Sequence, residues 1–373
     1  MTTDPHAPRP AAPSTPPSRR GVLKAAGVLA AGTLAGCAAP SGSRSGGPGG
    51  EIPARSARLI HFTDAHIRPE FDAVSGVSTA LAHACSHAGD ADAMITGGDM
   101  IMYSMDQPEV RVKGLWDLWQ TTFAQRCPMR VEHCIGNHDI WGWNKARSMT
   151  TGQEPLWGKA WWLKANALER TYKSFDLRDW HVVILDSVQP LGESYQGLID
   201  QEQFAWLERD LAGVQPGRHT LIISHIPILS VGMLDCDAKR GEAILAGAGL
   251  DASSPAARAL VIQGGAMHMD THRLLRLFER SGTVRACLSG HIHIVESMRY
   301  KNIDFHCSGA VSGMWWRGEA SNRRFQQERA RAGDVDVSER PTRAEPGYAV
   351  VDLMSDGTVA HRYQPIGWKY AQP

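Results

Sequence analysis

The sequence lacks an excess of charge of either sign. Lysines plus arginines number 39 and aspartates plus glutamates number 39, so the formal net charge of the 373-residue chain is +0. Proteins that bind nucleic acid or an anionic membrane surface through their overall field carry a clear excess of basic residues. The balance therefore predicts no nucleic-acid-binding surface, and any recognition of a charged partner has to be local.

Cysteine is also scarce. The chain has seven cysteines, and several of them, such as Cys134, Cys287 and Cys307, lie inside apolar segments. This number and spacing exclude a disulfide framework or a cysteine-rich zinc module as the basis of the fold. We interpret most of these cysteines as small core residues.

Acidic residues are almost missing from the first fifty positions, which are rich in proline, alanine, glycine and serine. Within them, SRRGVLKAAG contains the adjacent Arg19 and Arg20. An apolar run over residues 25–35 follows, and it is too short to span a bilayer as a stable helix. The stretch resembles a twin-arginine export signal, with Val22 where that signal usually has phenylalanine.

The apolar run ends in LAGC, which resembles the lipobox of bacterial lipoproteins, where the signal is cleaved and Cys37 is acylated. Taken separately, the arginines are explained as chance basic residues in a disordered tail, and Cys37 as an ordinary apolar position. The order and spacing of the arginines, the apolar run and Cys37 favour a signal over residues 1–37, followed by a flexible tether over residues 38–57. We expect an exported protein on the periplasmic or cell-surface side of a bacterial membrane. Its predicted partners are the twin-arginine export machinery and, through the lipid anchor only, the membrane.

From Arg58 onward, short apolar runs alternate with helical stretches, which is typical of a layered α/β fold. Helices are predicted over residues 73–88, 112–126 and 198–213, and a pair of strands over residues 171–187. Five apolar runs end in side chains able to bind a metal. These side chains are Asp64 and His66, then Asp99, then Asn137, His138 and Asp139, then His225, and finally His291 and His293.

Each polar strand end has an ordinary explanation when it is taken alone. Asp64 or Asp99 could cap a helix, Asn137 could hold a turn, and His225 could be a buried histidine bonded to backbone. In an extended chain, however, His291 and His293 point to the same face. Reactive groups collect beyond the carboxyl ends of strands in α/β folds, so the five endings together predict one site.

The ordered set DxH, GD, GNHD, H and GHxH resembles the five motifs of the calcineurin-like metallophosphoesterase family over about residues 58–313. The resemblance implies an α/β fold, a four-layer β-sandwich flanked by helices, with the domain spanning residues 58–373 and a Trp-rich insertion at about 140–170. It implies hydrolysis of phosphate esters by metal-bound hydroxide at a two-metal centre. A small phosphate ester would be the substrate.

The resemblance also implies a set of metal ligands. Asp99 would be shared by both ions, since a carboxylate has two oxygens. Asp90 also follows a glycine, but it precedes the apolar strand and is left out. Nitrogen and oxygen ligands without thiolate favour iron, manganese or zinc as the two divalent or trivalent transition-metal ions, and the pair stays open. The first ion would take Asp64, His66 and His293, and the second Asn137, His225 and His291.

His138 resembles the family residue that protonates or steadies the leaving oxygen, with Asp139 holding its imidazole in orientation. The alternative is that His138 only packs under its loop. Asn137 and His138 are also expected to contact the substrate. Gly136 and Gly290 would let the backbone approach the metals closely.

One branch of the family, the purple acid phosphatases, has a tyrosine three positions after the shared aspartate. Here Met102 occupies that position and Tyr103 comes one residue later, while His66 stands where those enzymes have glycine. We therefore set that branch aside. The HMDTH stretch, with His268 and His272, lacks the glutamate of zinc peptidases, and we interpret both histidines as helix surface.

The Trp-rich insertion has two explanations, apolar packing of a long loop or a substrate platform beside His138. The substrate preference leans to phosphodiesters, because only Arg68 closely follows a motif and a monoester dianion usually attracts more basic residues. The alternatives are a phosphomonoesterase or nucleotidase, and a metal-dependent cell-surface binding protein without turnover. A scaffold that lost its metals is disfavoured by the complete set of ligand motifs.

Overall fold

Two β-sheets lie at the centre of the fold. The computed structural model describes residues 53–124, 127–232, 266–317 and 344–369, all within the unit Ile52–Pro373. The predicted signal and most of the predicted tether lie outside the described residues. Among the described helices, none has both the length and the apolar composition that crossing a membrane requires.

The first sheet has the strand order β13-β12-β1-β2-β3. Its first three strands in the sequence run parallel, and β12 and β13 add an antiparallel edge. The strands are β1 (Arg55–Phe62), β2 (Ala93–Thr96), β3 (Val131–His133), β12 (Gly347–Met354) and β13 (Val359–Pro365).

The second sheet has the order β10-β11-β9-β8-β5-β4, in which β5, β8, β9 and β11 run parallel. A separate hairpin pairs β6 with β7. The strands are β4 (Lys173–Leu177), β5 (Trp180–Leu185), β6 (Val188–Leu191), β7 (Ser194–Gly197), β8 (His219–Ser224), β9 (Val284–Ser289), β10 (Val295–Tyr300) and β11 (Ile303–Ser308).

The three helices that periodicity predicts are present as α1, α2 and α5. The described helices are α1 (Ala73–His87), α2 (Glu109–Ala124), α3 (Lys145–Ser148), α4 (Ala160–Ala165), α5 (Gln201–Ala212) and α6 (Thr271–Ser281), with a 3₁₀ turn at Asn137–Asp139. Asp200 caps α5 by accepting a hydrogen bond from the Gln203 amide. The predicted strand pair is also present, as β4 and β5.

Alternation along the strands builds the layers. In β1, Leu59 packs between the two sheets, while Ile60 and Phe62 face α1 and α2 on the outer side. In β8, Leu221 lies between the sheets and Ile222 packs on the side of α5 and α6. Because successive side chains of a strand point to opposite faces, both sheets are buried on both sides. The result is helix, sheet, sheet, helix, which confirms the predicted four-layer sandwich.

The Trp-rich insertion packs into the outer core beside α1 and α2. Trp141, Trp143, Trp161 and Trp162 are between 0% and 7% exposed, and all four belong to that apolar cluster. A tryptophan side chain buries a large apolar area, so these four residues anchor a long loop. Their burial supports the packing explanation for these four tryptophans over the alternative of a substrate platform.

Candidate metal centre

Five strand ends meet at one edge of the sandwich. The parallel strands β1, β2 and β3 end there in one sheet, and β8 and β9 end there in the other. The carboxyl ends of parallel strands lie at the same edge, so their loops converge. The structure brings together all of the predicted ligands, namely Asp64, His66, Asp99, Asn137, His225, His291 and His293.

Three of these side chains form one group. His293 Nε2 lies 3.1 Å from Asp64 Oδ1 and 3.0 Å from His66 Nε2. His66 Nε2 is also 3.6 Å from the same Asp64 oxygen. All three side chains are at most 3% exposed, so water does not compete for these atoms.

A second group forms around Asp99. Its Oδ2 lies 3.3 Å from His225 Nε2, and His225 Nε2 lies 3.2 Å from Asn137 Oδ1. Ligand atoms of Asp99, His225 and the half-buried His291 lie within 4.8 Å of one another. Asp99 Oδ2 is also 3.7 Å from His66 Nε2 in the first group. Asp99 therefore stands between the two groups.

Backbone carbonyls orient two of the imidazoles. His293 Nδ1 donates to the Gly313 carbonyl at 2.6 Å, and His225 Nδ1 donates to the Gly97 carbonyl at 2.8 Å. A carbonyl oxygen only accepts, so each bond fixes the proton on Nδ1 and turns Nε2 toward the cluster. Such outer partners are a common feature of metal-binding histidines.

The first group fits a cation on its own chemistry. Asp64 Oδ1 and the Nε2 atoms of His66 and His293 converge within 3.6 Å of one another. One proton shared by the two nitrogens cannot provide a hydrogen bond to all three atoms. His66 Nδ1 is buried without a hydrogen-bond partner in the described part of the chain. A transition-metal ion satisfies all three converging atoms at once.

The ionisation of Asp64, Asp99 and His66 suits ligation. Burial opposes ionisation of Asp64, but His293 and His66 outweigh it and hold the pKa of its carboxyl well below the usual range. His225 and His138 similarly lower the pKa of Asp99 against its burial. Burial and the neighbouring His138 lower the pKa of His66 to about 3, so its ring is neutral, as ligation requires.

The backbone at the centre is strained. Five predicted ligands have φ values in the left-handed region, namely 57° at Asp64, 44° at His66, 54° at Asp99, 69° at His291 and 57° at His293. Such conformations cost on the order of 1 kcal/mol or more for residues with a Cβ, and they gather at functional sites. The surrounding fold therefore maintains this arrangement at a cost in stability.

Two glycines allow the loops to pass closely. A Cβ on Gly136 would lie 2.2 Å from Asp99 Oδ1, and a Cβ on Gly290 would lie 2.2 Å from Asp64 Oδ2. No side chain fits at such distances, so both positions require glycine. The expected close approach is present, and it is made to the candidate ligand carboxylates.

Asp139 does not orient His138, and this prediction is wrong. Its carboxylate instead accepts hydrogen bonds from the backbone amides of Asp99, Met100 and Gly136 at 2.8–2.9 Å, with Ile101 at 3.4 Å. The 3₁₀ turn directs Asp139 inward, beneath the loop that carries Asp99. Asp139 is thus a positioning residue for that loop.

His138 is oriented by a backbone group. Its Nδ1 donates to the Met102 carbonyl at 3.2 Å, and its amide donates to Asp99 Oδ1 at 2.7 Å. Its Nε2 lies 3.9 Å from Asp99 Oδ2, and its side chain is 13% exposed. His138 therefore touches both the cluster and solvent. Tyr103 packs edge-on against its ring with centroids 4.8 Å apart.

Some structural residues of the site are not apparent from the sequence. His268 is fully buried, so its prediction as helix surface is wrong, whereas His272 on α6 is exposed as expected. The His268 ring lies 2.9 Å from both Ser224 Oγ and Asp270 Oδ1, and thereby supports the end of β8 just before His225. Asp90, which is excluded from the predicted ligands, pairs with Arg55 and Arg58 at the surface.

Known proteins resemble this chain in sequence family and in fold. A family model of calcineurin-like phosphoesterases matches residues 57–295. The fold is similar to that of a dimetal phosphatase from Danio rerio, with a TM-score of 0.52 and 11% identity, over 85% of this chain and 100% of that one. A purple acid phosphatase from yellow lupin (Lupinus luteus) seeds is 13% identical over 84% of this chain and 52% of that one, with a TM-score of 0.49.

No curated protein matches the sequence. The family match covers well over half of the chain and contains all five motifs. The His and Asp groups at the strand ends supply nitrogen and oxygen ligands for two transition-metal ions. The chain therefore belongs to the calcineurin-like phosphoesterase family and is a metal-dependent phosphoester hydrolase.

Proposed function

We propose that the enzyme hydrolyses phosphodiesters in preference to phosphomonoesters. The supporting observation is that no basic side chain of the described residues pairs with the candidate ligand carboxylates. In the described residues, no lysine or arginine lies within ion-pair distance of Asp64 or Asp99. Arg68, which the sequence places nearest, is 7% exposed and donates to the Trp315 carbonyl at 2.8 Å. A monoester dianion needs more compensating charge than a diester.

The assignment of the seven ligands to two metal ions is part of this proposal. Asp64, His66 and His293 hold one ion, Asn137, His225 and His291 hold the other, and Asp99 is shared. When bound, the two cations supply positive charge against the phosphoryl oxygens and a nucleophile at neutral pH. His291→Ala and His293→Ala should therefore each weaken a different ion, which metal titration of the two variants would measure. Identical effects on both ions would contradict the division.

His138 is proposed to give a proton to the leaving oxygen. Its Nδ1 keeps a proton for the Met102 carbonyl, so the proton for the leaving oxygen is carried on Nε2 of the doubly protonated ring, which becomes neutral on transfer. His138→Ala should keep its metals and lose more rate on alkyl esters, whose alkoxide needs a proton, than on nitrophenyl esters. Equal losses on both would instead indicate a purely positioning role.

The diester preference is tested by comparing kcat/KM for bis(p-nitrophenyl) phosphate and p-nitrophenyl phosphate with one metal pair in one buffer. We expect the diester to be preferred. A tenfold preference for the monoester would overturn the diester assignment and leave the metal centre intact. Metal binding without turnover of either ester would favour a cell-surface binding protein.

Export and lipid anchoring complete the proposal. The support is in the sequence alone, from the register of Arg19, Arg20 and Cys37, which lie outside the described residues. Replacing both arginines by lysine should leave precursor in the cytoplasm. Cys37→Ala should release the protein from the membrane, because acyl chains supply the membrane affinity. Mass spectrometry that finds lipid on the Cys37 variant would refute the lipobox.

A further inference from the structure

A turn beyond the family match is fixed to the metal centre. It spans residues 311–316, whereas the match ends at residue 295. The Val311 amide donates to the Thr63 carbonyl at 2.9 Å, and the Ser312 amide donates to the Asp64 carbonyl at 3.1 Å. The Gly313 carbonyl accepts the proton of His293 Nδ1. The turn is thus attached to both loops of the first ligand group.

The two tryptophans of this turn have different environments. Trp316 is 1% exposed and donates its indole N–H to the Ala65 carbonyl at 2.8 Å, which anchors the turn in the core. Trp315 is half-buried, and its ring centroid lies 6.2, 6.4 and 6.0 Å from those of His66, His138 and His293. Its indole nitrogen is buried without a hydrogen-bond partner among the described residues. Trp315 therefore forms a wall over the first ligand group.

Arginines hold this wall in place. Trp315 and Trp316 have φ values of 55° and 63°, so the turn is in a strained left-handed conformation. Arg68 donates to the Trp315 carbonyl at 2.8 Å, and its guanidinium stacks on Phe71 at 4.2 Å. The guanidinium carbon of Arg317 lies 5.6 Å from the centre of the Trp315 ring. The indole is fixed, so its contact with a ligand costs little conformational entropy.

We propose that Trp315 is a specificity-determining residue that stacks on a planar aromatic substituent of the phosphodiester, and that Arg68 is the residue that positions it. This inference rests on the proposed function. A rigid indole face offers π-stacking to any planar ring and much less to an aliphatic group of similar size. Its place beside His138 puts such a substituent next to the reacting phosphoryl group.

The test compares two diesters that share one leaving group, phenyl p-nitrophenyl phosphate and cyclohexyl p-nitrophenyl phosphate. Trp315→Leu should lower the phenyl-to-cyclohexyl ratio of kcat/KM by about fivefold or more, with unchanged metal content. Trp315→Phe should retain most of the ratio. Trp206→Leu is the matched control, because Trp206 is half-buried on α5, packs at a tilt against Tyr172 with ring centroids 4.9 Å apart, and borders the apolar cluster under α5 and α6. A ratio that stays constant in Trp315→Leu would overturn the inference.

Variants of Arg68 test whether it positions Trp315. Arg68→Met removes the donor to the Trp315 carbonyl, so it should lower the same ratio by a smaller factor, and Arg68→Lys should recover part of it. A loss of overall stability without a change in the ratio would assign Arg68 a structural role only and overturn its positioning role.

A binding measurement separates this inference from the proposed function. Calorimetric titration of the metal-loaded protein compares phenylphosphonate with methylphosphonate, neither of which is hydrolysed. We expect the phenyl compound to bind more tightly in the wild type and to lose this advantage in Trp315→Leu. That result supports the inference even if diesters are not the preferred substrates. Equal affinities of the two phosphonates in the wild type would overturn it even if diesters are hydrolysed.

Discussion

The two ends of strand β1 place charged groups in opposite ways. At its start, Arg58 Nε lies 2.6 Å from Asp352, which also binds Arg362 at 2.6 Å, so opposite charges are paired. Beyond its end, Asp64 Oδ1 and His66 Nε2 converge with His293 Nε2 within 3.6 Å, and Asp64 and His66 adopt left-handed backbone. The start of the strand is satisfied by the chain itself. Beyond its end, nitrogen and oxygen atoms converge in groups that fit a cation, and this difference separates a structural polar cluster from a functional one.

The largest expected effect comes from removing the carboxylate between the two ligand groups. Asp99→Ala should lose both ions and about 10³-fold or more in kcat/KM, because the shared carboxylate also offsets the repulsion between the cations. Elemental analysis and diester turnover measure this. The matched control is Asp352→Ala on β12, the ion-pair partner of Arg58, which should cost about 1 kcal/mol of unfolding free energy and no metal. Retention of two ions by Asp99→Ala would contradict the sharing.

A smaller effect is expected when only the support beneath Asp99 changes. Asp139→Asn keeps the side-chain shape but weakens its hydrogen bonds to the amides of Asp99, Met100 and Gly136. We expect metal affinity to fall roughly 10- to 100-fold, as for other residues that orient ligands. Metal titration measures this, with His138→Ala as the comparison that should keep wild-type affinity. Unchanged affinity in Asp139→Asn would remove its positioning role.

The smallest effect is a pH dependence of stability away from the centre. His181 lies between Asp210 at 2.9 Å and Asp176 at 2.8 Å, and these carboxylates raise its pKa despite its partial burial. The stabilisation is full below the ordinary histidine pKa and is lost as the pH rises through the raised value. His181→Gln should therefore cost about 1 kcal/mol or less at pH 6 and less at pH 9 by urea unfolding. A larger cost at pH 9 than at pH 6 would contradict this pairing.

The sequence predicts the ligand-bearing end of β1 better than the residues around it. Asp64 and His66 follow an apolar strand directly, and the other ligands follow four further strands, with His291 and His293 both after β9. The order of the motifs is therefore sufficient to predict the centre. The helices α1, α2 and α5 follow from periodicity. These features depend on local patterns.

The remaining features depend on contacts between distant segments. Asp139 is adjacent to His138 in the sequence, but the 3₁₀ turn directs it to amides some forty residues away. His268 is buried because Ser224, 44 residues earlier, meets its ring. Trp315 follows all five motifs in the sequence. It lies over the centre because Arg68 donates to its carbonyl and because its turn is bonded to the ligand loops. No local pattern reports such contacts.

The central claim is that the strand ends hold two cations that share Asp99. It is tested most directly by crystals of the protein loaded with manganese or zinc, with anomalous scattering used to locate the ions. The account predicts two peaks about 3.5 to 4 Å apart, one beside Asp64, His66 and His293 and the other beside Asn137, His225 and His291, with Asp99 touching both. A single peak, or two peaks of which only one contacts Asp99, would contradict it.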